Sequence, residues 1–167
     1  MSESETEKSF RGSINRLLQL IARFGPGART VRVALHRARG VHIGHDVWIG
    51  YDAILETSQP ELVSIEDGVA IGMRAMLIAH FRETKGIRIE RNAFVGPGAI
   101  IMPNVIIGEG AVVTAGSVVS RSVPPMTLVQ GNPARPVARC GVALTRDVTV
   151  KEFLRGLSGI AHDKSDS

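Results

Sequence analysis

The chain has 167 residues, of which 44% are hydrophobic but only 4% aromatic, and it carries a formal net charge of +4. That length suits one domain with a core of its own, and the scarcity of rings makes the core aliphatic and narrow. A single cysteine, Cys140, excludes an intrachain disulfide. The mild basic excess comes without the aromatic platform or reading motif of a nucleic-acid binder, and no apolar run reaches the ~20 residues of a membrane span.

Residues 1–8 are acidic and polar, unlike a signal peptide, and are expected to be disordered; the default compartment is the cytoplasm. From Ser9 to Phe24 the apolar residues Ile14, Leu17, Leu18, Ile21 and Phe24 recur with helical spacing, and Gly25-Pro26-Gly27 stops the helix. A second short helix is expected from Ala28 to Ala38. This region is rich in arginine (Arg11, Arg16, Arg23, Arg29, Arg32, Arg37, Arg39), and two readings stay open. It is either a polar lid on the end of the next domain or a peripheral contact with an anionic membrane.

The dominant signal follows. An aliphatic residue opens blocks of six at Ile43, Ile49 and Leu55, then, after a phase shift over 61–64, at Ile65, Ile71, Leu77, Ile89, Val95, Ile101, Ile107, Val113 and Val119. A second small or apolar residue stands four places on, and Gly or Asn precedes it at Gly68, Gly86, Asn92, Gly98, Asn104, Gly110 and Gly116. A period of six fits neither a helix nor an alternating strand. It fits a parallel β-helix whose corners need positive φ, which Gly and Asn tolerate. The all-β domain is placed at 41–139, with a tail and helical cap at 1–40 and an extension at 140–167 that holds a short helix near Thr149–Leu157. The block 83–88 opens on Glu and is expected to bulge out. With three blocks per coil, residue n stacks on n+18, so Gly98 lies against Gly116. His80 is expected at the end of that same bare edge, where a thin linear ligand fits beside its imidazole. An imidazole titrating near neutrality suits a general base; the alternative is a surface histidine that tolerates the turn.

The run from Val95 to Val119, continuing through Ser120-Arg121-Ser122-Val123-Pro124-Pro125 to Gly131-Asn132-Pro133-Ala134-Arg135, resembles the hexapeptide-repeat acyltransferases. The maltose, galactoside and polysaccharide O-acetyltransferases are the most similar branch, and the resemblance covers roughly 41–139. It implies a left-handed β-helix and a homotrimer with acetyl-coenzyme A, or another acyl-coenzyme A, in the groove between subunits. It also implies transfer to a hydroxyl of a sugar, glycan or glycosylated metabolite, with a role in polysaccharide biosynthesis. By matching position His80 is the general base, Gly98, Ala115 and Gly116 line the pantetheine arm, and Ser120, Arg121 and Arg135, with help from Arg139, hold the coenzyme. No metal is expected.

The chain departs from the pattern at two places. Phe94 stands where the family often has Trp. Pro97, which has no N–H, stands where a backbone donor usually stabilises the oxyanion, leaving Gly98 N–H as the substitute. The short loop after His80 points to an open pocket for a large acceptor, with Glu83 placed to orient His80 and Tyr51, Glu56 and Ser58 on the acceptor side. Two competing readings are a non-catalytic assembly subunit and a zinc carbonic anhydrase of the same fold, although residue 85 is Lys where the latter needs a second histidine.

Overall fold

A computed structural model describes residues 3–80 and 85–160, with side chains from Gly12 onward. Strands of two or three residues alternate with tight corners. The first coil holds β1 (His42–Ile43), β2 (Trp48–Ile49) and β3 (Ile54–Leu55); the second holds β4 (Val63–Ile65), β5 (Ala70–Ile71) and β6 (Met76–Leu77). The third holds β7 (Ile87–Ile89), β8 (Phe94–Val95) and β9 (Ile100–Ile101), and the fourth β10 (Ile106–Ile107), β11 (Val112–Val113) and β12 (Val118–Val119). Pairing between coils is parallel. It builds three faces, β1-β4-β7-β10, β2-β5-β8-β11 and β3-β6-β9-β12, which together form a left-handed parallel β-helix.

The hexad rhythm is the inward side of this prism. Ile49, Ile71, Leu77, Ile89, Val95, Ile101, Ile107 and Val113 are all buried, and so are Val69, Ala75, Ala93, Ala99 and Ala111 at the second inward position. Corners take positive φ at Gly68, Asn92, Gly98, Asn104, Gly110 and Gly116, and also at Asp46, Asp52 and Arg74, which the Gly/Asn rule overlooks. His80 does not have positive φ, so its place is not a tolerated left-handed turn.

Stacking at n+18 holds only between the third and fourth coils, as in Val95 on Val113. Ile43 pairs with Ile65 and Leu77 with Ile101, spacings that carry four and six extra residues. The four belong to the 3-10 turn Pro60–Leu62 region, and the six fall between His80 and β7; of the block 83–88 expected to bulge, Ile87 and Arg88 lie in β7 and pair with β4, while 83–84 are outside the described residues.

At the N-terminus α1 (Glu3–Phe24) begins earlier than the sequence led us to expect, so residues from Glu3 are helical rather than disordered; α2 is Val31–Ala38. α1 also presents the face opposite to the expected one. Gln19 and Ala22 are buried, whereas Ile14, Leu17, Leu20, Ile21 and Phe24 are exposed. The reason lies in α2's C-cap, Arg39. Its guanidinium is buried beneath α1 and demands acceptors, which Asn15 and Gln19 supply. The end of the chain is also richer than expected. β13 (Thr127–Gly131) joins β11, β14 (Ala134–Cys140) returns antiparallel, α3 (Val150–Arg155) follows, and β15 (Leu157–Gly159) pairs with β14. Cys140 is buried there, and burial pushes its thiol up, away from reactivity. Among the described residues no helix is long and apolar enough to cross a membrane.

Candidate active site

Each coil has three edges. The edge between the second and third faces carries Tyr51, Met73, Pro97-Gly98 and Ala115-Gly116; the edge between the third face and the next coil carries Glu56–Ser58, Ile78–His80, Met102–Asn104 and Ser120–Ser122. His80 therefore does not stand above Gly98 and Gly116. Six extra residues between His80 and β7 change the register, so its neighbour one coil on is Asn104, and the glycine edge lies across the third face.

The histidine edge is built by a buried carboxylate. At 56–62 and again after Ala79 the chain leaves the regular coil, and backbone N–H groups lose their partners in the neighbouring coil. Glu56, 2% exposed, replaces them. Its Oε1 accepts from Ser58 N–H at 2.7 Å and Gln59 N–H at 3.3 Å, and its Oε2 from Ala79 N–H at 2.8 Å and His80 N–H at 3.0 Å. His80 Nδ1 lies 2.8 Å from Oε1 and 2.7 Å from Oε2. Burial alone raises the Glu56 pKa, but the hydrogen bonds from the His80 ring and from the N–H groups of Ser58, Ala79 and His80 outweigh it and hold the group at about 2. An ionised carboxylate only accepts, so Nδ1 carries the proton and the Nε2 lone pair is left on a half-exposed ring, 49% accessible. Among the described residues Nε2 has no partner.

Several expected roles change accordingly. Glu56 does not face an acceptor from the surface; it is the residue that orients His80. Glu83, to which that task was assigned, lies outside the described residues. Tyr51 sits on the glycine edge, its ring 5.5 Å from Phe24. Ser58 is exposed beside Glu56. Phe94 points outward from the second face, away from His80, into a cavity of about 580 Å³ lined by Trp48, Leu144 and Val148. Gly98 N–H cannot replace the donor missing at Pro97, because it donates to Met73 O at 2.8 Å; Gly116 N–H likewise donates to Pro97 O. Among the described residues the N–H of Ala115, an exposed residue, is the one of Gly98, Ala115 and Gly116 with no acceptor. Only the geometry shows the Glu56–His80 pair, because a strict n+18 count stacks Glu56 on Arg74, whereas the observed register brings it to the stretch Ile78–His80.

Ser120 and Arg121 share the histidine edge, while Arg135 lies on the β13–β14 hairpin and Arg139 donates to Thr127 Oγ1 at 3.0 Å. Arg121, Arg135 and Arg139 are exposed, and among the described residues none makes an ion pair. Arg23 and Arg74, by contrast, pair with Asp52, and Arg29 with Asp46. Unmatched guanidiniums at one end of the solenoid suit a phosphate-bearing ligand. No three metal-ligating side chains gather among the described residues. His36 is buried under the helices, and His45 faces solvent beside Asp67, so neither shares a site with His80.

The comparisons agree with this architecture. The model of the bacterial transferase hexapeptide family (six repeats) matches residues 86–121. A Schizosaccharomyces pombe protein, whose name gives acetyltransferase as an assumed activity, is 47% identical over 53 residues, which are 32% of this chain and 26% of that protein, so the chain spans about a quarter of its length. A hexapeptide-repeat acetyltransferase from Vibrio cholerae, solved with acetyl-coenzyme A, superposes with a TM-score of 0.63 at 24% identity, over 83% of this chain and 92% of that one; that likeness bears on the fold. Nodulation protein L of Rhizobium meliloti is 36% identical over 126 residues, 66% of this chain and 67% of that protein. With that relative and the coils described above, the chain belongs to the hexapeptide-repeat acyltransferase family.

Proposed function

We propose that the protein is an acyl-coenzyme A-dependent O-acyltransferase, most simply an acetyltransferase, with a hydroxyl of a sugar or glycan as acceptor. The observation that carries this reading is the half-exposed His80 imidazole, anchored through Nδ1 to the buried Glu56 with Nε2 left outward. In the reaction Nε2 takes the proton of the acceptor hydroxyl as that oxygen attacks the thioester carbonyl. The C–S bond then breaks, and the leaving thiolate takes the proton back from Nε2. Glu56 stabilises the imidazolium between these steps, as a buried acid does for a histidine base.

His80 with Arg121 and the stretch Gly98, Ala115 and Gly116 flank the third face on opposite sides. In one chain Arg121 stands five residues from Gly116 and six from Ala115, on the order of 15–20 Å of extended backbone across that face. A single pantetheine arm meets both when the histidine edge of one copy faces the glycine edge of the next. We therefore read the active form as a homotrimer with sites between copies. Arg135 and Arg139 take the coenzyme phosphates. Ala115 N–H is the candidate donor to the oxyanion in place of the one absent at Pro97.

The test is incubation with acetyl-coenzyme A and a panel of sugars, followed by mass spectrometry and thiol release, beside His80→Ala. Loss of about 10²-fold or more is expected in the variant. Undiminished product in His80→Ala removes the imidazole from the mechanism. No thiol release with any acceptor favours the assembly-subunit reading instead.

A further inference from the structure

We propose that Arg39 is the positioning residue of this site, holding the Leu55–Glu56 backbone from below so that the Glu56 carboxylate stays aimed at His80. The proposal rests on His80 being the base, as argued above. Arg39 is 7% exposed, lies after α2, and meets the histidine edge only at the backbone carbonyl of the buried Glu56. Its guanidinium reaches five acceptors on three elements. Nε donates to Asn15 Oδ1 of α1 at 2.6 Å; the two N–H groups of Nη1 are shared among Gln19 Oε1, His36 Nδ1 at 3.0 Å and Leu55 O at 3.1 Å; Nη2 donates to Glu56 O. The last two acceptors lie at the point where the chain departs from the coil and where the Glu56 side chain turns back to gather its four N–H groups.

The chemistry of the acceptors makes the arrangement directional. All five are neutral. A guanidinium has no acceptor to offer, so His36 Nδ1 must be unprotonated. The carboxylate of Glu56 is the negative charge that Arg39 senses, and it partly offsets the lowering that burial imposes on the guanidinium, which settles at about 10. The buried cation thus has its hydrogen bonds satisfied by the helices and by two successive peptide carbonyls, and its charge balanced by the carboxylate that holds the imidazole. A planar five-donor fork is what this geometry needs; an ammonium reaches fewer of the acceptors. The helical cap, on this view, is part of the transfer machinery rather than a lid alone.

The test uses the full chain with Arg39→Met, which removes every donor, and Arg39→Lys, which keeps the charge but loses the fork. Val33→Ala, on the same helix and in the core with no link to Glu56, is the control for lost stability. One readout is the strongly deshielded Nδ1–H proton of His80 in the low-temperature NMR spectrum. It is expected in the unsubstituted protein and in Val33→Ala, and expected to vanish in Glu56→Gln, Arg39→Met and Arg39→Lys. The second is a split of kinetic constants with acetyl-coenzyme A and the best acceptor of the sugar panel. Arg39→Met should lower kcat by on the order of 10²-fold with KM for acetyl-coenzyme A nearly unchanged, because a small misplacement of the base costs that much. If Arg39→Met does not fold, Arg39→Lys decides alone. A retained Nδ1–H signal with normal kcat in a folded Arg39 variant overturns the proposal. An unsubstituted protein that shows the signal but releases no thiol sinks the functional reading and leaves the positioning role standing.

Discussion

Two buried titratable residues set how the protein meets acid. His36 is fully buried, and burial first, then the charges of Arg39 and Arg32, lower its pKa from 6.5 to about 3. An unfolded His36 binds a proton that the folded one refuses, so the unfolded state gains protons between those values. Stability is complete above pH 6.5 and drains away as pH falls towards 3. Glu56 works at lower pH. Its folded pKa of about 2 lies below the ordinary 4.5, so its contribution is present above 4.5 and is lost as pH falls from there towards 2. The two windows separate by substitution. His36→Asn places an amide oxygen near the position of Nδ1, keeps an acceptor for Arg39, and cannot titrate. Thermal melts of that variant should be nearly flat from pH 7 to pH 5, where the unsubstituted protein loses melting temperature; equal slopes would show that His36 is not the group responsible. Glu56→Gln behaves differently, because it turns an NH₂ group towards backbone donors. It should cost about 1–3 kcal/mol at neutral pH, and a denaturant titration reads that directly.

At the scale of the elements the solenoid makes two unlike demands on glycine. Gly72 packs against the next coil, and a Cβ there would stand 2.4 Å from Pro97 N, an atom of fixed backbone. Gly98 has positive φ but open space around the missing Cβ. Gly98→Ala should therefore cost about 1–2 kcal/mol for its left-handed backbone, whereas Gly72→Ala must push two coils apart and should cost about 3 kcal/mol or more. Calorimetry that ranks them in the opposite order would refute the stacking register. The corner glycines and asparagines were legible in the sequence because positive φ leaves a compositional mark. The packing role of Gly72 was not, since close approach depends on which coil lies above. The orientation of α1 was hidden for a related reason. Periodicity identifies an apolar stripe at Ile14, Leu17, Ile21 and Phe24, but burial of the opposite face follows from Arg39, whose need for acceptors on Asn15 and Gln19 outweighs it. That stripe leads through the Phe24–Tyr51 ring contact to the glycine edge, where Tyr51, Met73, Pro97 and Ala115 occupy matching positions in successive coils.

The whole molecule divides its candidate site between two edges; the four extra residues of the first coil hid the Glu56–His80 pair, and the six that follow His80 moved it off the glycine ridge. A strict n+18 count puts imidazole and ridge in one column; the observed Leu77–Ile101 pairing puts the third face between them. The consequence is an assembly prediction. A site shared between adjacent copies contains one histidine edge and one glycine edge, so two inactive variants damaged on different edges repair each other when mixed. His80→Ala destroys the first edge. Gly116→Trp blocks the second, where nothing now lies within 4 Å of the absent Cβ. Each variant alone should be inactive. After unfolding and refolding together in equal amounts, random closed trimers place an intact histidine edge beside an intact glycine edge at about one site in four, and about a quarter of the unsubstituted activity should return. Light scattering on the same samples should give about three times the 17.9 kDa chain mass. Activity that stays at zero in co-refolded samples of that mass would place the whole site within a single chain, and a ligand would then have to cross the half-buried apolar row Ile54, Met76, Ile100 and Val118 on the third face.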